Sequence, residues 1–170
     1  SSKIDNGAII KVKINFDKKI KKLKIDFTGS SKQLENNFNA PLAVTKSVII
    51  YFLRTLITKN IPLNEGFLKD IKIIIPENSM LNPSYPSPVV AGNVETSQHL
   101  IDILNVALKV QSACYGTMNN ITFGDKSFGY YETICGGEGA SFGHHGADAV
   151  HCHMTNTSIT DPEILEWYYP

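Results

Sequence analysis

The segment from Pro41 to Ile57 constrains this chain more than any other. Val44, Val48, Tyr51, Phe52 and Leu56 keep helical spacing, and Ile49, Ile50, Leu53 and Ile57 fill much of the remaining circumference. A helix apolar on nearly every side must be buried on nearly every side. At about 16 residues it is too short to cross a bilayer, so the rest of the chain has to cover it. Asn39 or Ala40 is the expected cap, with Pro41 in the first turn, where its missing N–H costs nothing. Arg54 sits inside this helix and needs a partner or a route to water. A structural ion pair is the expectation, and a ligand carboxylate is the functional alternative.

A second helix is predicted over residues 93 to 110. Leu100, Ile103, Leu104, Ala107 and Leu108 fall at i, i+3, i+4, i+7 and i+8, with Asn93 as cap and Glu95 in the first turn. Ahead of both helices, two stretches alternate with a period of two. Ile10, Val12, Ile14 and Phe16 oppose Lys11, Lys13 and Asn15, and Leu23, Ile25 and Phe27 oppose Lys22, Lys24 and Asp26. That is an antiparallel hairpin over residues 8–16 and 22–28, turning at Asp17-Lys18-Lys19, with one face in water. Further short strands are predicted near residues 71, 130 and 150, and Pro83, Pro86 and Pro88 make residues 77–88 a semi-rigid loop. Thr160-Asp161-Pro162-Glu163 fits a capping box before a short helix carrying Ile164 and Leu165. The expected class is α+β: mixed strands with an N-terminal antiparallel hairpin and two long buried helices. It reads as one segment, 1–170, with a lysine-faced hairpin at 1–28.

Charge and cysteine content narrow the function. The formal net charge is zero, yet residues 1–24 carry eight lysines against Asp5 and Asp17. The lysine row is read as a solvated face that discourages edge pairing, with an anion patch as the alternative. Arg54 is the only arginine, which argues against a nucleic-acid partner. No apolar run reaches membrane-spanning length, so no membrane partner is expected. Cys114, Cys135 and Cys152 cannot all pair with one another and form no CxxC motif; they read as free thiols of a reducing, cytoplasmic compartment. The aromatic close Trp167-Tyr168-Tyr169 suggests a piece of something larger.

The chemistry concentrates between Pro88 and Thr157, the predicted pocket region. Glycines, amides, hydroxyls and histidines crowd there among few charges. Neither a GxGxxG nor a GxxxxGK[ST] phosphate loop is present. His151-x-His153 is the strongest metal signal: on a strand the two imidazoles face one side and Cys152 the other, and His144, His145 or Asp148 could complete a ligand set. General-base or purely structural roles stay open for both histidines. Cys152 reads as packed, and Cys135, beside Gly136, is the thiol nearest to backbone N–H groups that could lower its pKa.

Ordered blocks run through the chain. They include Asp26-Phe27-Thr28-Gly29-Ser30, Asn39-Ala40-Pro41, Ile61-Pro62-Leu63-Asn64-Glu65-Gly66, Ala91-Gly92-Asn93-Val94-Glu95-Thr96-Ser97-Gln98, Gly116-Thr117-Met118-Asn119-Asn120, Tyr130-Tyr131-Glu132-Thr133-Ile134 and His151-x-His153-Met154-Thr155-Asn156-Thr157. With them the chain resembles the hydantoinase B/oxoprolinase family, and also the large subunits of acetone- and acetophenone-carboxylase-type enzymes. His99 stands where the family usually has Arg. The resemblance implies part of an ATP-dependent cyclic amide hydrolase opening 5-oxoproline or a hydantoin. A ketone carboxylase subunit or a non-catalytic assembly domain is the alternative. It implies that ATP is handled by a hydantoinase A-type domain or subunit, that other segments of the parent subunit are partners, and that a divalent metal, if used, has ligands outside this chain. For a planar cyclic amide, Glu95 is the expected orienter or base and His151 and His153 the proton handlers or metal contacts. Asn119 and Asn120 are the expected amide readers, with Thr96, Gln98 and Asn156 as further substrate contacts. The site would be walled by the start of the second helix, residues 117–120 and residues 151–156.

Overall fold

The computed structural model describes residues 1–62, 64–155 and 167–168. Leu63, Asn156 and the predicted capping box with its helix lie outside the described residues. The α+β class holds, with two helices and several small sheets. The elements run β1 (Ser2–Lys3), β2 (Ile9–Ile10), β3 (Lys13–Asp17), β4 (Lys22–Asp26), α1 (Leu42–Thr55), β5 (Ile71–Ile74), α2 (Thr96–Leu108), β6 (Asn120–Gly124), β7 (Gly129–Thr133), β8 (Gly137–Glu138) and β9 (Ala147–Asp148).

The N-terminal hairpin is present but differs from its predicted extent. β3 pairs antiparallel with β4, setting Ile14 opposite Ile25, and the Asp17 carboxylate accepts the Lys19 and Ile20 N–H groups at the turn. The alternating run before it is split. The Ser31 hydroxyl accepts the Ile9 N–H and the Ser30 hydroxyl the Lys11 N–H, so these backbone donors are taken by side chains, and Ile9–Ile10 pair with Ser2–Lys3 instead. Phe16, expected on the inner face, is exposed because the hairpin tip projects past the core. β4 also pairs in parallel with β5, placing Ile25 beside Ile73, which makes β4 the centre of a three-stranded sheet. Its Ile25 and the following Phe27 are fully buried.

α1 and α2 pack on each other and on this sheet. α1 is shorter than predicted and is buried along one face, not all round: Thr45, Val48, Ile49, Phe52 and Leu53 are inside, while Leu56 and Ile57 lie beyond its end and are exposed. The Arg54 guanidinium donates to the Ile61 carbonyl at 2.9 Å, so a loop oxygen takes the place of the expected ion pair. α2 is the more deeply buried, with Leu100, Ile101, Ile103 and Leu104 in the core. Its last turn emerges, leaving Val106 and Leu108 exposed, and closes on Lys109 in the left-handed conformation. Asn93 is not its cap. A 3-10 turn over Val90–Gly92 ends at Asn93, and the helix proper follows Glu95.

One polar hub joins the helix starts. Asn39, fully buried, accepts the Leu34 N–H and donates to the carbonyls of Leu34, Asn36 and Pro88. Thr96 donates to the Phe38 carbonyl at 2.6 Å, and Thr45 to the Leu81 carbonyl at 2.8 Å. Gly92 lies directly on this hub: a Cβ there would fall 2.1 Å from the Asn39 carbonyl oxygen. The proline-rich loop contributes Met80 and Leu81 to the core, because its backbone runs beside residues 31–40 and is bonded to it.

Candidate active site

A cavity of about 560 Å³ opens between the two helices and the chain that follows them. α1 contributes Tyr51, Phe52 and Thr55, with Leu56 just past its end, α2 contributes Ile101 and Asn105, and the opposite wall is formed by Val110, Gln111, Glu138, Ser141 and residues 150–153. Regular periodicity cannot place this wall. It is a strap of short turns, with Gly139 so close to Ser112 that a Cβ would lie 2.3 Å from the Ser112 carbonyl oxygen. The strap is tied down by polar contacts: Gln111 donates to the Glu138 carboxylate and the Gly139 carbonyl, and Gln98 donates to the Thr155 hydroxyl. Among the described residues the lining has apolar sides, several amide and hydroxyl groups, and no lysine or arginine.

His151 is the polar group that the fold leaves unanswered. Both ring nitrogens are buried and neither has a partner among the described residues. Buried polar atoms are usually satisfied, so this imidazole on a cavity wall is available to a ligand or water. His153 is occupied: its Nε2 lies 2.9 Å from the Cys114 Sγ, and its ring meets Tyr51 edge-on. Burial pushes the His153 pKa down against the pull of Asp102 and Glu138, keeping the ring neutral. Burial also pushes the Cys114 thiol up to about 12, helped by nearby Cys152 and Asp102, although the Gly139 N–H donates to its sulfur. Asp102 accepts the Cys114 N–H at 2.9 Å. Its carboxyl is raised by burial, partly offset by that hydrogen bond, His153 and His99.

The three expected wall segments do meet, largely through contacts with one another. Thr117 donates to the Glu95 carboxylate at 2.5 Å, and the Met118 N–H to the Val94 carbonyl. Gln98 spans from α2 to Met154 and Thr155. Thr96 faces the Phe38 carbonyl, deep in the fold. Asn120 opens β6, where its side chain donates to the Met118 carbonyl and accepts from Tyr131 and Thr133. Asn119 receives the Ile134 N–H on its backbone oxygen. Of the residues assigned to the site, His151 and His153 line the cavity; Glu95, Thr96, Gln98, Asn119 and Asn120 do not. Asn156 lies outside the described residues.

The histidine pair does not sit on a strand. The pair lies in irregular chain that turns at His153 and Met154, with His153 at φ +60°, and the short ladder ends at Asp148. His144, His145 and Asp148 are exposed and stand apart from His153. Cys152, read as facing away from the histidines, instead joins His153 and Cys114: one ligand-capable atom from each lies within 4.8 Å of the others. Sequence reasoning missed Cys114, Asp102 and Tyr51. Their proximity arises from the strap folding back on α2, and no local spacing announces it.

Comparison with known proteins agrees with the fold and the ordered blocks. The family model for hydantoinase B/oxoprolinase matches residues 1–170. The chain is 48% identical over 167 residues to 5-oxoprolinase 1 of Arabidopsis thaliana, covering 98% of this chain and 13% of that protein. It is 47% identical over 167 residues to the 5-oxoprolinase of Dictyostelium discoideum, with the same coverage. It thus spans about an eighth of the length of these relatives. The crystal structure of the ATP-dependent caprolactamase from Pseudomonas jessenii shares the fold, with a TM-score of 0.74 at 21% identity over 96% of this chain and 31% of that one. The chain belongs to the hydantoinase B/oxoprolinase family.

Proposed function

We propose that this chain forms part of an ATP-dependent cyclic amide hydrolase, contributing one wall of the site where the ring C–N bond is opened. The names of its relatives support the reaction class: 5-oxoprolinase and caprolactamase share a lactam ring as the bond to be broken. The observation that carries the site is the buried, unpartnered His151 on the cavity wall. A planar amide ring fits between the apolar walls of Tyr51, Phe52 and Ile101, within reach of the Asn105, Gln111 and Ser141 groups. An imidazole there can take a proton from attacking water and return one to the departing ring nitrogen. The likeness to 5-oxoprolinases favours 5-oxoproline, with a hydantoin as the other candidate. A carboxylate on the ring needs a cation from beyond this lining.

The cavity does not suit the nucleotide. Among the described residues its lining holds no lysine or arginine and carries Glu138, which repels a triphosphate. We therefore assign ATP handling to a hydantoinase A-type domain or subunit, and read other segments of the parent protein as further walls. The free thiols fit the reducing cytoplasm. Among the described residues no helix is long and apolar enough to cross a membrane.

The test is His151→Gln in the complete ATP-using assembly, following ring opening of 5-oxoproline, hydantoin and caprolactam. A proton-handling imidazole predicts a fall in kcat/KM of about 100-fold or more, with the melting temperature retained. Unchanged turnover on every ring tested would remove His151 from the site. Bicarbonate-dependent carboxylation of a ketone without ring opening would overturn the hydrolase reading.

A further inference from the structure

We propose that Cys114, Cys152 and His153 form a binding site for a soft divalent metal of the zinc class, at the edge of the cavity. The Cys114 thiol and the neighbouring Cys152 and His153, from two separate parts of the chain, converge so that one donor atom of each lies within 4.8 Å of the other two. Thiolate and imidazole are the ligand types that select zinc over calcium or magnesium. Zn–S bonds of about 2.3 Å and Zn–N bonds of about 2.0 Å in a tetrahedron separate ligand atoms by roughly 3.3–3.8 Å. The cluster is already near that size, and the 2.9 Å approach of Cys114 to His153 has to open by roughly half an ångström.

The surroundings fit a ligand set. Asp102 holds the Cys114 backbone N–H, and the Gly139 N–H points at the Cys114 sulfur, so the thiol is oriented by both neighbours. Hydrogen bonds of this kind around a ligand fix its direction and tune its basicity. Asp102 also places a buried carboxyl beside the cluster, bonded to the Cys114 backbone. Three protein ligands leave a tetrahedral ion one position short, the arrangement of metal centres that bind water or substrate. Cys152 and His153 both line the cavity, so that position can be reached from it. These ligands are distinct from those the family resemblance implies, which it puts outside this chain. The inference stands on the cluster alone and does not require the hydrolase reading.

The experiment uses the full protein as encoded by its own gene, reduced, stripped with chelator and reloaded with Co²⁺. The expected result is the intense near-ultraviolet charge-transfer absorption of cobalt–thiolate bonds, displaced by one equivalent of Zn²⁺. The band should be lost in both Cys114→Ser and Cys152→Ser and retained, shifted, in His153→Cys. Zinc-edge X-ray absorption on the unsubstituted protein should show two sulfur ligands and needs no variant to fold. A reduced wild-type protein without the thiolate band overturns the proposal. So does a band that survives both cysteine substitutions, or a Cys114–Cys152 disulfide whose reduction restores no metal uptake. Metal bound elsewhere through oxygen and nitrogen gives no thiolate band, and loss of turnover plays no part in the readout, so failure here is separable from failure of the hydrolase assignment.

Discussion

Asp102 is a carboxyl held in the core against its own charge. Burial is the largest influence on it and raises its pKa above the ordinary 3.8. A carboxyl with a raised folded-state value favours the fold fully below its unfolded pKa, and that advantage is lost as pH rises through the folded value. Asp102→Asn keeps an acceptor for the Cys114 N–H and cannot ionise. The metal-free variant should therefore melt higher than wild type at neutral pH, and the gap should close in melts below pH 3.8. An equal gap at both pH values would show that ionisation is not the cause. Asn39 makes the opposite case, since every hydrogen bond it forms is with backbone. Asn39→Ala strands several buried groups at about 1–3 kcal/mol each, so denaturant unfolding should show a loss above about 3 kcal/mol. Asn39 was legible in the sequence only as a possible helix cap. Its true partners sit at Leu34, Asn36 and Pro88, and the last is 49 residues away. His151 was legible as chemistry, whereas Cys114 was not, because pairing a thiol with an imidazole 39 residues on depends wholly on how the strap returns.

Elements show the same division between local and non-local information. Period-two alternation located β3 and β4, since a half-buried strand must alternate whatever its neighbours. It said nothing of the parallel partner β5, whose register is set by Ile73 lying beside Ile25. Helical periodicity placed α2 but overran it at both ends, where a 3-10 turn precedes it and Lys109 closes it. β6 was missed although Ile121 and Phe123 alternate with Asn120 and Thr122, because the stretch is short and none of its five residues is buried, so no core face marks it. β6 and β7 form a separate two-stranded ribbon with Phe123 stacked near Phe128 and Tyr130. An isolated pair of strands is marginally stable. Amide exchange should accordingly be faster in residues 120–124 and 129–133 than in β4, with Ile25 among the slowest. Equal protection in both would mean that the ribbon is covered in solution.

At the scale of the molecule, large apolar side chains remain on the surface: Phe16, Val90, Phe123, Phe128, Tyr131 and the fully exposed Phe142. Among them Phe123 and Phe128 lie edge to face, two exposed rings side by side of the kind that contact with other protein covers. Phe123→Asp in the isolated chain should leave the melting temperature unchanged and raise the monomer fraction in sedimentation velocity; a lowered melting temperature would place Phe123 in the fold's own packing. The core itself lies among the three-stranded sheet, both helices and the loop through Met80 and Leu81, and the strap is fastened to it from outside. Its fastenings are Gln98 to Thr155, the Cys114 N–H to Asp102, the His153 ring against Tyr51, and Met154 on the core's edge. Where releasing such a strap costs less than melting the core, it opens while the rest stays folded. A guest seated behind it would then depart at the frequency with which the strap lets go, and its residence time would be a property of the fastening as much as of its own grip.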